Sequence, residues 1–172
     1  PWRGLVGIGG FLRFCQKPGR DTGTPQTVLD AMLDAMTNAM TNAMPDDISG
    51  GLDASPAKVL ARFHKRCGHS IAPLPAPGKE GLARLRADLE RLRDLDLDVD
   101  LYMNLDLPAR QAPTLFLHAQ DDRIVPPDLP REAQSLLSCS VLTWLPSGGH
   151  ALPMTRAQDC QRLIQEFLHD LG

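Results

Sequence analysis

Aromatic residues make up only 5% of the 172 positions, and a single tyrosine is among them. Cysteine is rarer still. Cys15, Cys67, Cys139 and Cys160 stand far apart with no paired spacing, which argues against a disulfide framework and against a zinc site of the Cys-x-x-Cys kind. Free thiols in a reducing compartment are the simpler reading, and a cytoplasmic location is the expectation that follows. No apolar run approaches the roughly 18 residues of a membrane span. Nor do the first residues show the basic segment and long apolar core of a secretory signal. A net charge of −3 supplies no general attraction to nucleic acid or to an anionic membrane. Finally, Gly-x-Ser-x-Gly occurs nowhere in the chain. That pentapeptide sets a serine nucleophile on a sharp strand-to-helix turn.

What is present describes an ordinary globular chain, 42% hydrophobic and 23% charged, long enough for a sizeable core. Leu5, Val6 and Ile8 read as a buried strand that breaks at Gly9-Gly10. Lys17 to Pro25 is a loop, followed by a helical pattern from Thr27 to Met44. Met32, Met36, Met40 and Met44 recur every four residues on one stripe of that helix, more consistent with core than with an acyl-chain pocket. Ser55-Pro56 opens a further helix through a capping hydroxyl and a first-turn proline; it stops near Cys67-Gly68. After a loop with Pro73, Pro75 and Pro77, Leu82, Leu85, Leu89 and Leu92 mark an amphipathic helix. Asp94 to Leu101 alternates acidic and apolar residues, an extended segment with one wet face. It has no glycine-turned loop that would wrap a calcium ion.

The last sixty or so residues are the most informative. Thr114–Ala119 is an apolar run that ends in Gln120-Asp121-Asp122-Arg123-Ile124-Val125-Pro126. A helix over Pro127–Leu137 leads to a second apolar run, Val141–Leu145, ending in Pro-Ser-Gly-Gly-His150, and a helix from Thr155 to Leu171 follows. Such a βαβα tail implies parallel strands and a right-handed crossover. Polar groups just past the carboxyl ends of parallel strands line the crevice where ligands bind. Asp122 and His150 are therefore the candidate catalytic pair: a carboxylate fixes an imidazole's tautomer and stabilises the imidazolium formed when it takes a proton from a hydroxyl. Asp121 could claim the role instead; Asp122 is preferred because Val125-Pro126 follows at an offset that resembles that of hydrolases, which leaves Asp121 toward solvent.

Other constellations are weaker. Ser55-Pro-Ala-Lys58 matches Ser-x-x-Lys, but the partner motifs Ser-Asp-Asn and Lys-Thr-Gly are missing; Ser55 is an N-cap. His64, Cys67 and His69 lack a second ligand cluster and read as helix-end residues. Lys58, Arg62 and Arg66 share a helix face, with Lys65 beside them, and Arg84, Arg86, Arg91 and Arg93 decorate the later helix. Such rows are usually solvated faces, although an arginine fork would also suit a phosphate group.

With strand, helical insert and Asp…His tail in place, the chain resembles the α/β-hydrolase superfamily. Asp121-Asp122-Arg-Ile-Val-Pro and Gly149-His150-Ala-Leu-Pro resemble its acid and histidine loops. Leu5 through Phe14 is similar to the strand after the nucleophile helix, with its aromatic exit. Val28-Leu-Asp-Ala-Met and Leu60-Ala-Arg-Phe63 resemble the cap helices of the family that hydrolyses the methyl ester of pimeloyl-[acyl-carrier protein] in biotin synthesis. The resemblance implies the C-terminal part of an α/β fold of about three parallel strands: a partial core, residues 1–23 and 107–172, with a helical cap inserted over 24–106. It also implies a serine esterase with no cofactor or metal, acting on a small ester that an acyl-carrier protein could present. Asp122 and His150 would belong to its triad, with Arg62, Arg66 and Phe14 as substrate or carrier-protein contacts. Because the nucleophile elbow is missing, the chain is expected to be part of a longer protein and to lack esterase activity alone. A hydrolase-like remnant that only binds, or another capped hydrolase of haloperoxidase or carbon–carbon bond type, is the alternative.

Overall fold

A computed structural model of the chain describes residues 3–41, 61, 63–68, 78–95 and 112–172. Three strands, β1 (Leu5–Ile8), β2 (Thr114–Ala119) and β3 (Ser140–Leu145), form one sheet in that order. Both pairings are parallel, with Thr114 level with Leu5 on one side and with Ser140 on the other. The central strand β2 is buried along its whole length. That explains why Thr-Leu-Phe-Leu-His-Ala does not alternate: a strand covered on both faces has no wet side to encode.

Its alternate residues serve different layers. Leu115, Leu117 and Ala119 pack with Leu145, Leu152 and Cys160, roofed by Leu163, Ile164 and Phe167 of α5 (Ala157–Asp170). Phe116 points the other way, to Ala133 and Leu137, beneath α3 (Asp128–Leu136). Each large aliphatic side chain so buried contributes roughly 1.5–3 kcal/mol. The sheet is thus a rigid platform with helices on both faces, and its strand ends can hold side chains in fixed relation.

Two helices intervene between β1 and β2: α1 (Gln26–Thr41) and α2 (Lys79–Asp94). They are joined by an ion pair between Arg93 and Asp30 at 3.5 Å. Leu29 of α1 and Leu92 of α2 pack against Phe11, Phe14, Cys15, Ile124, Val125 and Leu129. The insert is therefore anchored on the loop that follows β2. In α1 Leu29 and Leu33 are buried and Met32 is half-buried; the side chains of Met36 and Met40 lie outside the described residues. Among the described residues of the insert, 61 and 63–66 are helical, with no strand.

The helix expected over Thr155–Leu171 is α5, which starts two residues later at Ala157; a short helix α4 (Leu152–Thr155), not expected from the sequence, precedes it and ends at Arg156. Arg156 leaves helical geometry at φ −135°, and its guanidinium reaches back to Ser147. All four cysteines are free, Cys139 exposed and the others buried. No described helix is long and apolar enough to cross a membrane, and no three His, Cys, Asp or Glu side chains gather as a metal site among the described residues. The Ser55-Pro56 helix start, Arg62, His69, the Pro73–Pro77 loop, Met44 and the acidic alternation over 96–101 lie outside the described residues.

Candidate active site

Asp122 stands three residues past the end of β2, and the chain folds back around its carboxylate. Oδ1 accepts the backbone N–H of Ile124 at 2.8 Å and of Val125 at 3.0 Å. The Asp122 N–H donates to the Ala119 carbonyl at 3.2 Å. With one oxygen tied to the main chain, Oδ2 is left for the imidazole of His150, whose Nδ1 lies 3.0 Å away. The Asp122 side chain is 2% exposed. Burial by itself would raise this carboxyl, and is the largest single influence on it. The hydrogen bond from His150 and the amides of Val125 and Ile124 together outweigh burial and hold it below the usual carboxylate range. Asp122 is thus an anion at neutral pH.

His150 arrives from β3 through Pro146-Ser-Gly-Gly149. Gly149 has φ +63°, and a Cβ there would stand 2.4 Å from the Cys67 carbonyl oxygen. Only glycine fits both the backbone geometry and that contact. The Gly149 N–H donates to Asp121 Oδ1 at 2.9 Å, and the Ala151 N–H donates to the Cys67 carbonyl at 3.1 Å. Asp121 is exposed, as expected from the sequence, yet one of its oxygens ties the histidine loop to the acid loop. Arg66 Nη2 donates to the Arg123 carbonyl at 3.2 Å. The turn 63–68 therefore grips both loops, one through a side chain and one through its main chain. On the far side the ring rests on Gly9, where a Cβ would meet His150 Nδ1 and Cε1 at 3.2 Å.

This arrangement fixes the chemistry available. A carboxylate can only accept, so His150 Nδ1 donates, and in the neutral imidazole the lone pair sits on Nε2. The ring is 29% exposed, which leaves it reachable. An imidazole held in this tautomer can take a proton at Nε2 while Asp122 stabilises the resulting cation.

The structure brings Asp122 and His150 together, and Arg66 beside them through the Arg123 carbonyl. Arg62 lies outside the described residues. Phe14, expected as a substrate or carrier-protein contact, is only 6% exposed and packs with Leu29, Val125 and Leu129, its ring 5.3 Å from that of Phe11. An aromatic this buried supports the acid loop from within the core. Sequence reasoning weighed Asp121 only as an alternative acid, and it missed Gly9 beneath the His150 ring, the Cys67 carbonyl and the buried imidazole of His118. Of these only His118 carried a signal, a titratable residue inside an otherwise apolar strand.

No family model matches the chain. Over 112 residues it is 35% identical to a protein of Variovorax paradoxus named "Putative carbamate hydrolase RutD", a match that covers 65% of this chain and 38% of that protein. Among solved structures, an esterase from Exiguobacterium antarcticum superposes with a TM-score of 0.62 at 18% identity, over 96% of this chain and 57% of its own. MGS-M2, an alpha/beta hydrolase enzyme from a Medee basin deep-sea metagenome library, gives 0.62 at 16% identity, over 96% and 56%. The chain spans less than two fifths of the curated relative and a little more than half of each solved structure. Its three parallel strands, flanking helices and strand-end loops are those of the α/β-hydrolase fold.

Proposed function

We propose that the whole protein is a carboxylic ester hydrolase in which Asp122 and His150 are the acid and base of a Ser-Asp-His triad. The observation that carries this reading is the 3.0 Å hydrogen bond between them, made where two neighbouring parallel strands end. The serine would come from another part of the whole protein, held beside the edge of β1 that pairs with no other described strand. His150 Nε2 accepts the serine hydroxyl proton as Oγ attacks the ester carbonyl, and returns it to the departing alcohol. Water then repeats the sequence on the acyl-enzyme and frees the acid.

The finer reading is a methyl ester carried on an acyl-carrier protein in a cytoplasmic biotin pathway, supported by the basic row containing Arg62, Lys65 and Arg66. The relative from Variovorax favours a carbamate as second substrate class, since the same pair can serve attack on that carbonyl. Both are tested on the whole protein that contains this chain. A short acyl ester, an acyl-carrier-protein methyl ester and a carbamate are compared by kcat/KM. The two esters are expected to turn over faster than the carbamate. A faster carbamate transfers the reading to that class, and no turnover of any by a folded protein favours a binding module.

A further inference from the structure

We propose that His118 is a positioning residue for the dyad: a neutral imidazole whose Nε2–H holds the Val125 carbonyl, so that Asp122 presents Oδ2 to His150. This inference rests on the hydrolase reading and deepens it. His118 lies on β2, 1% exposed. Its Nε2 is 3.2 Å from the Val125 carbonyl oxygen and 3.7 Å from Asp122 Oδ2. Both neighbours are acceptors, so Nε2 must carry a hydrogen. The other ring nitrogen, Nδ1, is buried and finds no partner among the described residues. A second proton there would create an unsatisfied buried donor, so the ring is held neutral.

The consequence reaches the acid directly. Val125 gives its N–H to Asp122 Oδ1 and takes the His118 proton on its carbonyl. The peptide that clamps one carboxylate oxygen is therefore itself clamped from beneath. The ring is braced edge-on against Trp144, centroids 5.2 Å apart, and Arg131 covers that indole at 5.2 Å. The charged or titratable groups facing His118 are thus Asp122 and His150, with Arg131 behind the indole. A cationic His118 would compete with His150 for the same oxygen of Asp122, whereas a neutral one leaves that anion to His150. Burial pushes the His118 imidazole down, against the pull of Asp122 and the Val125 carbonyl.

The test is nitrogen-15 and low-field proton NMR on the 172-residue chain. In the unsubstituted protein, His118 should keep the neutral Nε2–H pattern through the region near about pH 6.5, where an exposed imidazole takes its proton. An Nδ1–H tautomer or a cation at neutral pH overturns the proposal. The dyad's Nδ1–H gives the second readout. His118→Phe keeps a flat ring against Trp144 but loses the donor, and should lose or broaden the low-field His150 proton signal. His118→Gln restores a donor and should retain it. A signal untouched by His118→Phe, or lost equally in His118→Gln, overturns the positioning role. Should His118→Phe not fold, the tautomer and the glutamine variant decide. Asp122→Asn separates the two levels: it should abolish the signal, and a signal that survives it overturns the dyad itself.

Discussion

Replacing Gly149 with alanine should uncouple the histidine loop from the turn that grips it. Two costs add. A residue other than glycine at φ +63° is strained by roughly 1–2 kcal/mol. The new Cβ would also lie 2.4 Å from the Cys67 carbonyl oxygen, which must withdraw by about 1 Å to reach ordinary contact. A withdrawal of that size breaks the 3.1 Å hydrogen bond from the Ala151 N–H and strands a buried carbonyl, worth about 1–3 kcal/mol. The expected destabilisation is thus about 2–5 kcal/mol, or some 4–20 °C in Tm for a chain of this size. Gly19→Ala is the control: φ is +79° there, but nothing lies within 4 Å of the added Cβ, so only the strain remains. Urea and thermal unfolding of the two variants separate contact from strain. If Gly149→Ala is no more destabilising than Gly19→Ala, the grip of turn 63–68 on the histidine loop is not real.

Three further outcomes are expected. Acidification should weaken the fold in two stages: His118 and Asp122 both bind a proton less readily when folded. The unfolded chain takes up a proton at the His118 position first, so stability falls below about pH 6.5, and the Asp122 contribution goes as pH drops below about 3.9. Urea midpoints against pH should lose the first stage in His118→Gln and the second in Asp122→Asn. Glu132→Ala should cost about 2–4 kcal/mol in denaturant titration, because it abandons the Arg13 guanidinium, 2% exposed and paired to Glu132 at 2.8 Å. Phe14→Ala should cost about 3–5 kcal/mol as a core deletion; a variant of native stability with only a raised KM would make Phe14 a substrate contact.

The dyad was legible because its signals are local. Asp122 and Val125-Pro126 write one loop, and Gly148-Gly149-His150 writes the other, each at the end of a run whose apolar length already marks a buried strand. The parallel register then brings the loops together without further instruction. What escaped was carried by main chain or by distance. The Cys67 carbonyl meets Gly149 across some eighty residues with no side chain to advertise it, and Gly9 touches His150 through the lack of one. The burial of Phe14 escaped because likeness to a family transfers a position in the chain, not the direction in which a ring points. The break at Arg156 depends on a guanidinium turning back to Ser147, which periodicity does not encode.

The most direct test of the Asp122–His150 pair is kcat/KM for a short acyl ester in the whole protein that contains this chain, compared with its His150→Ala and Asp122→Asn variants. Loss of the base removes the proton acceptor, and loss of the carboxylate frees the imidazole to adopt the wrong tautomer, each worth roughly 10³–10⁴-fold or more in triad enzymes. The account predicts falls of that order in both variants, with little further loss when they are combined. Ester hydrolysis that survives either substitution within about tenfold, in a protein that remains folded, would contradict it.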